Sequence, residues 1–103
     1  MLKFATSVKV KWCCRGDDEV AVFIDRSPSA VVRETGPGPG LCTTKEYAYA
    51  KDKPVHVEIQ GLQKSGEVHS EFWYQYSSDD GASWKEKRDP KAYQAVNNAV
   101  SLN

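Results

Sequence analysis

Phe72-Trp73-Tyr74-Gln75-Tyr76-Ser77-Ser78-Asp79-Asp80-Gly81-Ala82-Ser83-Trp84 is the stretch on which the fold turns. Aromatic residues dominate its first half, and side chains that alternate along such a run suit a pleated strand buried on at least one face. Its second half is a loop. Asp79 hydrogen-bonds nearby backbone N–H groups, and Gly81 accepts the φ > 0 geometry of a tight hairpin because it has no Cβ to clash. Ser77 and Ser83 are placed to tie the loop mouth through their hydroxyls, and Trp84, first in the returning strand, is placed to lay its ring across the turn. A strand, a self-contained turn and a return strand are therefore expected.

The same alternation runs outward in both directions. Val8, Val10 and Trp12 share one face of a first strand, with Lys9 and Lys11 on the other. A polar turn at Arg15-Gly16-Asp17-Asp18-Glu19 leads to Val20, Val22 and Ile24, and Arg26-Ser27-Pro28 ends that second strand. Ala30 to Glu34 reads as a short third strand, Gly36-Pro37-Gly38-Pro39-Gly40 as a surface loop, and Leu41 to Ala50 as a resumed strand. Val55, Val57 and Ile59 then point inward from a strand whose other face carries His56, Glu58 and Gln60. Gln63-Lys64-Ser65-Gly66 turns into the long aromatic strand from Val68 to Ser77. Six to seven antiparallel strands linked by short turns, with no internal repeat, predict an all-β, immunoglobulin-like β-sandwich over residues 1–89. Asp89-Pro90, with Tyr93, Val96 and Val100 at helical spacing, predicts a short C-terminal helix or tail of the same domain over 90–103.

Ser77 to Trp84 also matches the pattern Ser-x-Asp-x-Gly-x-Ser/Thr-Trp, and in this it resembles the Asp boxes of sialidases and other β-propellers. Similar single hairpins occur in unrelated folds, fibronectin-type sandwiches among them. The resemblance covers eight residues of 103. It implies a turn geometry and no active site, since in propellers the box lies away from the catalytic centre, and one box does not build a propeller of several four-stranded blades. The run of strands, with a cysteine before a Thr-Thr strand and a Lys-Pro-Val turn into the next, is also faintly similar to the extracytoplasmic sandwiches of small actinobacterial transport-accessory proteins.

With 14 Lys+Arg against 14 Asp+Glu the formal net charge is zero, and no basic stripe points to nucleic acid. Lys9, Lys11, Lys85, Lys87 and Arg88 form a local exception that reads as the solvated outer face of an edge strand. No window of 18 apolar residues is present, so no membrane span is expected. Cys13, Cys14 and Cys42 make an odd count of three. Vicinal Cys13 and Cys14 point to opposite faces of a strand, so either of the two is a disulfide candidate for Cys42, against a reduced cytosolic alternative. No basic-then-apolar leader is legible; the expectation is a secreted or cell-envelope protein whose leader is absent from this sequence, with a cytoplasmic one as the alternative.

The aromatic strand supplies the candidate site. Phe72, Tyr74 and Tyr76 share one face and Trp73 holds the other, so if one face is core, the other exposes either a tyrosine ladder or a tryptophan, the residue types that anchor protein partners or stack on sugars. The alternative is that rings on both sides are buried or packed against lysine stems. Tyr47, Tyr49, Trp73, Tyr74, Tyr76 and Trp84 are the candidate binding residues, with Glu71, Lys85 and Lys87 as a polar rim. Arg15-Gly16-Asp17 spells an integrin-recognised tripeptide and equally spells a solvated turn. His56 and His69 fit no hydrolase signature and no metal-ligand spacing, and the paired carboxylates Asp17/Asp18 and Asp79/Asp80 point apart at turn tips. The expected function is therefore non-enzymatic binding of a protein partner, with a carbohydrate-binding module and a structural or accessory envelope domain as alternatives. No cofactor or metal is called for.

Overall fold

The computed structural model describes residues 2–16, 19–35, 39–62 and 70–88. Their strands are β1 (Val8–Gly16), β2 (Glu19–Ile24), β3 (Val32–Thr35), β4 (Leu41–Cys42), β5 (Tyr47–Tyr49), β6 (Val57–Leu62), β7 (Ser70–Ser77) and β8 (Lys85–Arg88). All pairing is antiparallel. A five-stranded sheet runs β4-β1-β7-β8, with β5 beside β4 on the same edge of β1, and a three-stranded sheet runs β3-β2-β6. The two pack face to face as an all-β sandwich. In this order β1 is interior to its sheet, whereas the constant-type immunoglobulin order places its first strand at an edge. The predicted C-terminal helix over 90–103 lies outside the described residues.

Among the described residues eight strands replace the expected six to seven, because the strand read over Leu41 to Ala50 is broken in two. Thr43 causes the break. Its Oγ1 accepts the Trp12 N–H at 3.1 Å and donates to the Lys45 carbonyl at 3.0 Å, so a side chain takes the ladder's place and bends the chain away from β1 until Tyr47. Substituting a side-chain oxygen for a backbone carbonyl depends on what lies opposite, and sequence periodicity does not report it.

The core follows the alternation closely. Val10, Trp12 and Cys14 from β1 meet Val20, Val22 and Ile24 from β2, with Phe72 and Tyr74 of β7, Tyr49 of β5 and Phe4 and Val55 from the flanks. Val57 and Ile59 are partly buried against this cluster. Trp12, fully buried, is its hub: its ring centroid lies 5.8 Å from Tyr74 and 6.1 Å from both Phe72 and Tyr49. Each such aromatic pair adds roughly 0.5–1.5 kcal/mol beyond area burial. The Trp12 indole N–H makes no hydrogen bond of ordinary geometry, and the side chain it acts on is Tyr49, whose ionised hydroxyl it favours.

Candidate interaction site

Ladder register assigns the outer face of the five-stranded sheet. Lys9 opposes Ala48 and Ser77, Lys11 opposes Gln75, and Cys13 opposes Cys42 and Trp73, while Trp73 in turn opposes Arg88. Residues opposed in a ladder share a face, so these side chains stand together on the side away from the core.

At one end of this face lies the β7–β8 loop. Ser77 Oγ donates to Asp79 Oδ1 at 2.7 Å and accepts the Gly81 N–H at 2.8 Å. Asp79 Oδ1 accepts the Ser83 N–H at 2.9 Å, and Asp79 Oδ2 accepts the Ser83 hydroxyl. Asp80 and Gly81 both take positive φ, at 60° and 89°, which reverses the chain. Donation from the Ser83 hydroxyl, then from Ser77 and the Ser83 amide, holds the Asp79 carboxyl down to about 2. The Trp84 ring comes within 4.0 Å of where a Cβ on Gly81 would stand, and Lys11 Nζ sits 4.7 Å from the ring centroid.

Between this loop and β5 runs an open groove of about 450 Å³, lined by Ser7, Lys9, Ala48, Ala50, Ser78 and Asp80 among others. Its floor is small because Ala48 is the outward member of Tyr47-Ala48-Tyr49. Its rim is charged: Lys9 Nζ pairs with Asp80 at 3.0 Å and Glu46 at 3.8 Å, and the Asp80 hydrogen bond raises the Lys9 pKa. Glu46 and the half-buried Trp84 both flank Gly81, next to this rim and outside the groove's lining.

The expected aromatic platform is corrected by this geometry. Tyr49 (6 % exposed) and Tyr74 (5 %) belong to the core, and Tyr47 and Tyr76 pack against it. Lys45 lies over the remaining face of Tyr47. Trp73, on the opposite face of β7, is 5 % exposed. Arg88 stacks on it at 4.0 Å and is itself held by Glu71 at 2.7 Å, while the Gly40 backbone presses on the far ring edge. Rings on both sides of β7 are therefore covered, one side by the core and the other by a guanidinium and the β4 segment. Of the six candidates only Trp84 combines the outer face with substantial exposure.

Cys13 and Cys42 are bonded. Because Trp12 and Thr43 occupy a hydrogen-bonded position of the ladder, Cys13 and Cys42 fall on the next, non-hydrogen-bonded one, where opposed side chains come closest; their Cα atoms are 4.0 Å apart. Cys14 faces the core as a free thiol, pushed up to about 12 by burial. Such a thiol is inert. Arg15 and Gly16 are strand residues, paired with Glu71 and Ser70, and Asp17 lies outside the described residues. His56 is held by its amide on Asp25, and His69 lies outside the described residues. Among the described residues no group of three or more His, Cys, Asp or Glu side chains is placed to hold a metal, and no helix is long and apolar enough to cross a membrane.

The groove residues Ser7, Ala48, Ala50 and Ser78 escaped sequence reasoning because small side chains carry no signal of their own. Only the outward parity of Ala48 between two tyrosines marked them. Comparison with models of known protein families, with characterised proteins and with solved structures finds no match to this chain.

Proposed function

We propose that the chain is a non-enzymatic interaction domain that engages a protein partner through the outer face of its five-stranded sheet, at the groove between β5 and the β7–β8 loop. The observation that carries this reading is the groove itself: an open cleft with a small-residue floor and the Lys9–Asp80 ion pair on its lining, with Glu46 paired to the same lysine and half-buried Trp84 flanking Gly81 on the same loop. Trp is enriched among interface anchors, and a polar rim around one is the usual anatomy of a non-obligate interface. The loop is tied by Ser77, Asp79 and Ser83, so it presents Ser78 and Asp80 in a fixed position, which lowers the ordering cost of binding. The Cys13–Cys42 bond supports an oxidising, secreted or cell-envelope setting.

Co-purification from the native source tests the reading. Ser78→Arg fills the groove and Trp84→Ala removes the anchor, and both should lose the partner that wild type retains; Glu58→Arg, on the other sheet, should keep it. Retention by all three variants would sink the proposal. A carbohydrate ligand is the second reading, favoured by the half-buried Trp84 ring and the Glu46 carboxylate that both flank Gly81. Quenching of tryptophan emission by a glycan panel, lost in Trp84→Ala, would replace the first reading with this one.

A further inference from the structure

Among the described residues, the segment that carries Cys42 has little besides a two-residue ladder and the disulfide to hold it. Pro39 and Leu41 are exposed and Gly40 and Cys42 half-buried, so none of residues 39–42 is buried, and Leu41, at 48 %, is the most exposed large apolar side chain among the described residues. β4 is two residues long and pairs only with Cys13 and Cys14. From Thr43 onward the chain is anchored again by hydrogen bonds to Trp12. The covalent bond is thus the main tie of residues 39–42 to β1, and what that segment covers is Trp73: a Cβ on Gly40 would stand 2.6 Å from Trp73 Cη2.

We propose that Cys13–Cys42 is a thiol–disulfide exchange site for a dithiol, small or protein-borne, and that its opening lifts residues 39–42 and bares Trp73. The two sulfurs are not equivalent. Cys13 is fully buried in the middle of the sheet, whereas Cys42 is half-buried on the edge strand, so the incoming thiolate attacks Cys42 Sγ. The Cys13–Cys42 bond breaks, and Cys13 Sγ leaves with the electron pair and takes a proton. The second thiolate of the dithiol then attacks its partner sulfur in the mixed disulfide and expels Cys42 Sγ, which is protonated in turn. The protein gains two thiols, and the dithiol leaves oxidised by two electrons as its own disulfide.

The strand pairing of the rest of the sandwich does not run through this bond. β1 keeps β7 from Lys9 to Gly16 and β5 at Val8 to Val10, and Cys14 stays in the core. Opening is local. Trp73, freed of Gly40 but still under Arg88, joins the outer face that carries Trp84, so the exchange would add an aromatic group to the proposed interaction face; that consequence rests on the interaction reading, while the exchange does not.

The test uses the native protein without denaturant or partner. The protein is incubated with dithiothreitol, alkylated with iodoacetamide and peptide-mapped, while hydroxyl-radical footprinting reads Trp73 and Trp12 separately. Expected are alkylation of Cys42 with Cys14 unmodified, and a several-fold rise in Trp73 oxidation with Trp12 unchanged. Three results overturn the proposal: no reduction under native conditions, alkylation of Cys14 in step with Cys42, which means opening only by global unfolding, or alkylated Cys42 with Trp73 as protected as before. Because no ligand enters the experiment, its failure leaves the interaction reading untouched.

Discussion

Removing the Cys13–Cys42 bond by the double substitution Cys13→Ala/Cys42→Ala tests how the sandwich divides its stability between a covalent tie and its core. The bond spans 29 positions of sequence. Chain-entropy arithmetic for a loop of that length gives about 3.6 kcal/mol at 25 °C, acting on the unfolded state. A domain of this size holds roughly 5–15 kcal/mol in total, so the variant remains folded with a much reduced margin. With a urea dependence of roughly 1.5 kcal/mol per molar, the midpoint should fall by about 2.4 M at unchanged slope. Tryptophan emission and far-UV circular dichroism followed together establish whether the transition is still two-state. Cys14→Ala is the control: it should leave the bond intact by mass and lower the midpoint only through lost packing. A drop below about 0.5 M in the double variant would refute the chain-entropy reasoning, and loss of the bond in Cys14→Ala would refute the register that assigns it to Cys13.

Three further outcomes follow from the geometry. Gly40 has φ of 109°, and a Cβ added there would stand 2.6 Å from Trp73 Cη2, so Gly40→Ala should cost about 1–3 kcal/mol in urea unfolding, whereas the same change at a glycine with ordinary φ and open space would cost little. Asp79, held down to about 2, ties the loop at any pH above its unfolded value of 3.8, and that contribution disappears as pH falls from about 4 through 2; the Ser83 amide shift in an NMR titration should move with a midpoint near 2, and a midpoint near 4 would contradict the serine ties. Trp12→Phe removes an indole N–H that lacks a hydrogen bond of ordinary geometry but keeps an aromatic ring at the hub, and should cost well under the roughly 3–5 kcal/mol expected for Trp12→Ala; equal losses in calorimetry would contradict the packing role given to the ring.

The inner face of β1 was readable because Val8, Val10 and Trp12 alternate with Lys9 and Lys11 at period two, whereas β2 is apolar and buried on both faces, at Ala21 and Phe23 as well as at Val20, Val22 and Ile24. The hairpin loop was readable because Ser77, Asp79, Gly81 and Ser83 each answer a specific backbone demand. Which face of β7 meets the core was not. Phe72, Tyr74 and Tyr76 alternate with Trp73 equally well in either orientation, and the cover on Trp73 comes from Arg88 and Gly40, 15 and 33 positions away. The choice of Cys13 over Cys14 needed the β1–β4 register as well as the parity of β1. The groove needed three strands side by side: Ser7, Ala48 and Ser78 meet only because β5 and β7 flank β1.

Residue-resolved photo-cross-linking is the most direct test of an interaction face at the groove. A photoreactive amino acid is placed at Ser78, on the groove wall, and separately at Glu58, exposed on the three-stranded sheet, and the protein is irradiated in its native setting. The account predicts one discrete protein adduct from position 78 that is absent from position 58 and lost when Trp84→Ala is added. The same adducts from both positions, or a position-78 adduct indifferent to Trp84, would contradict it.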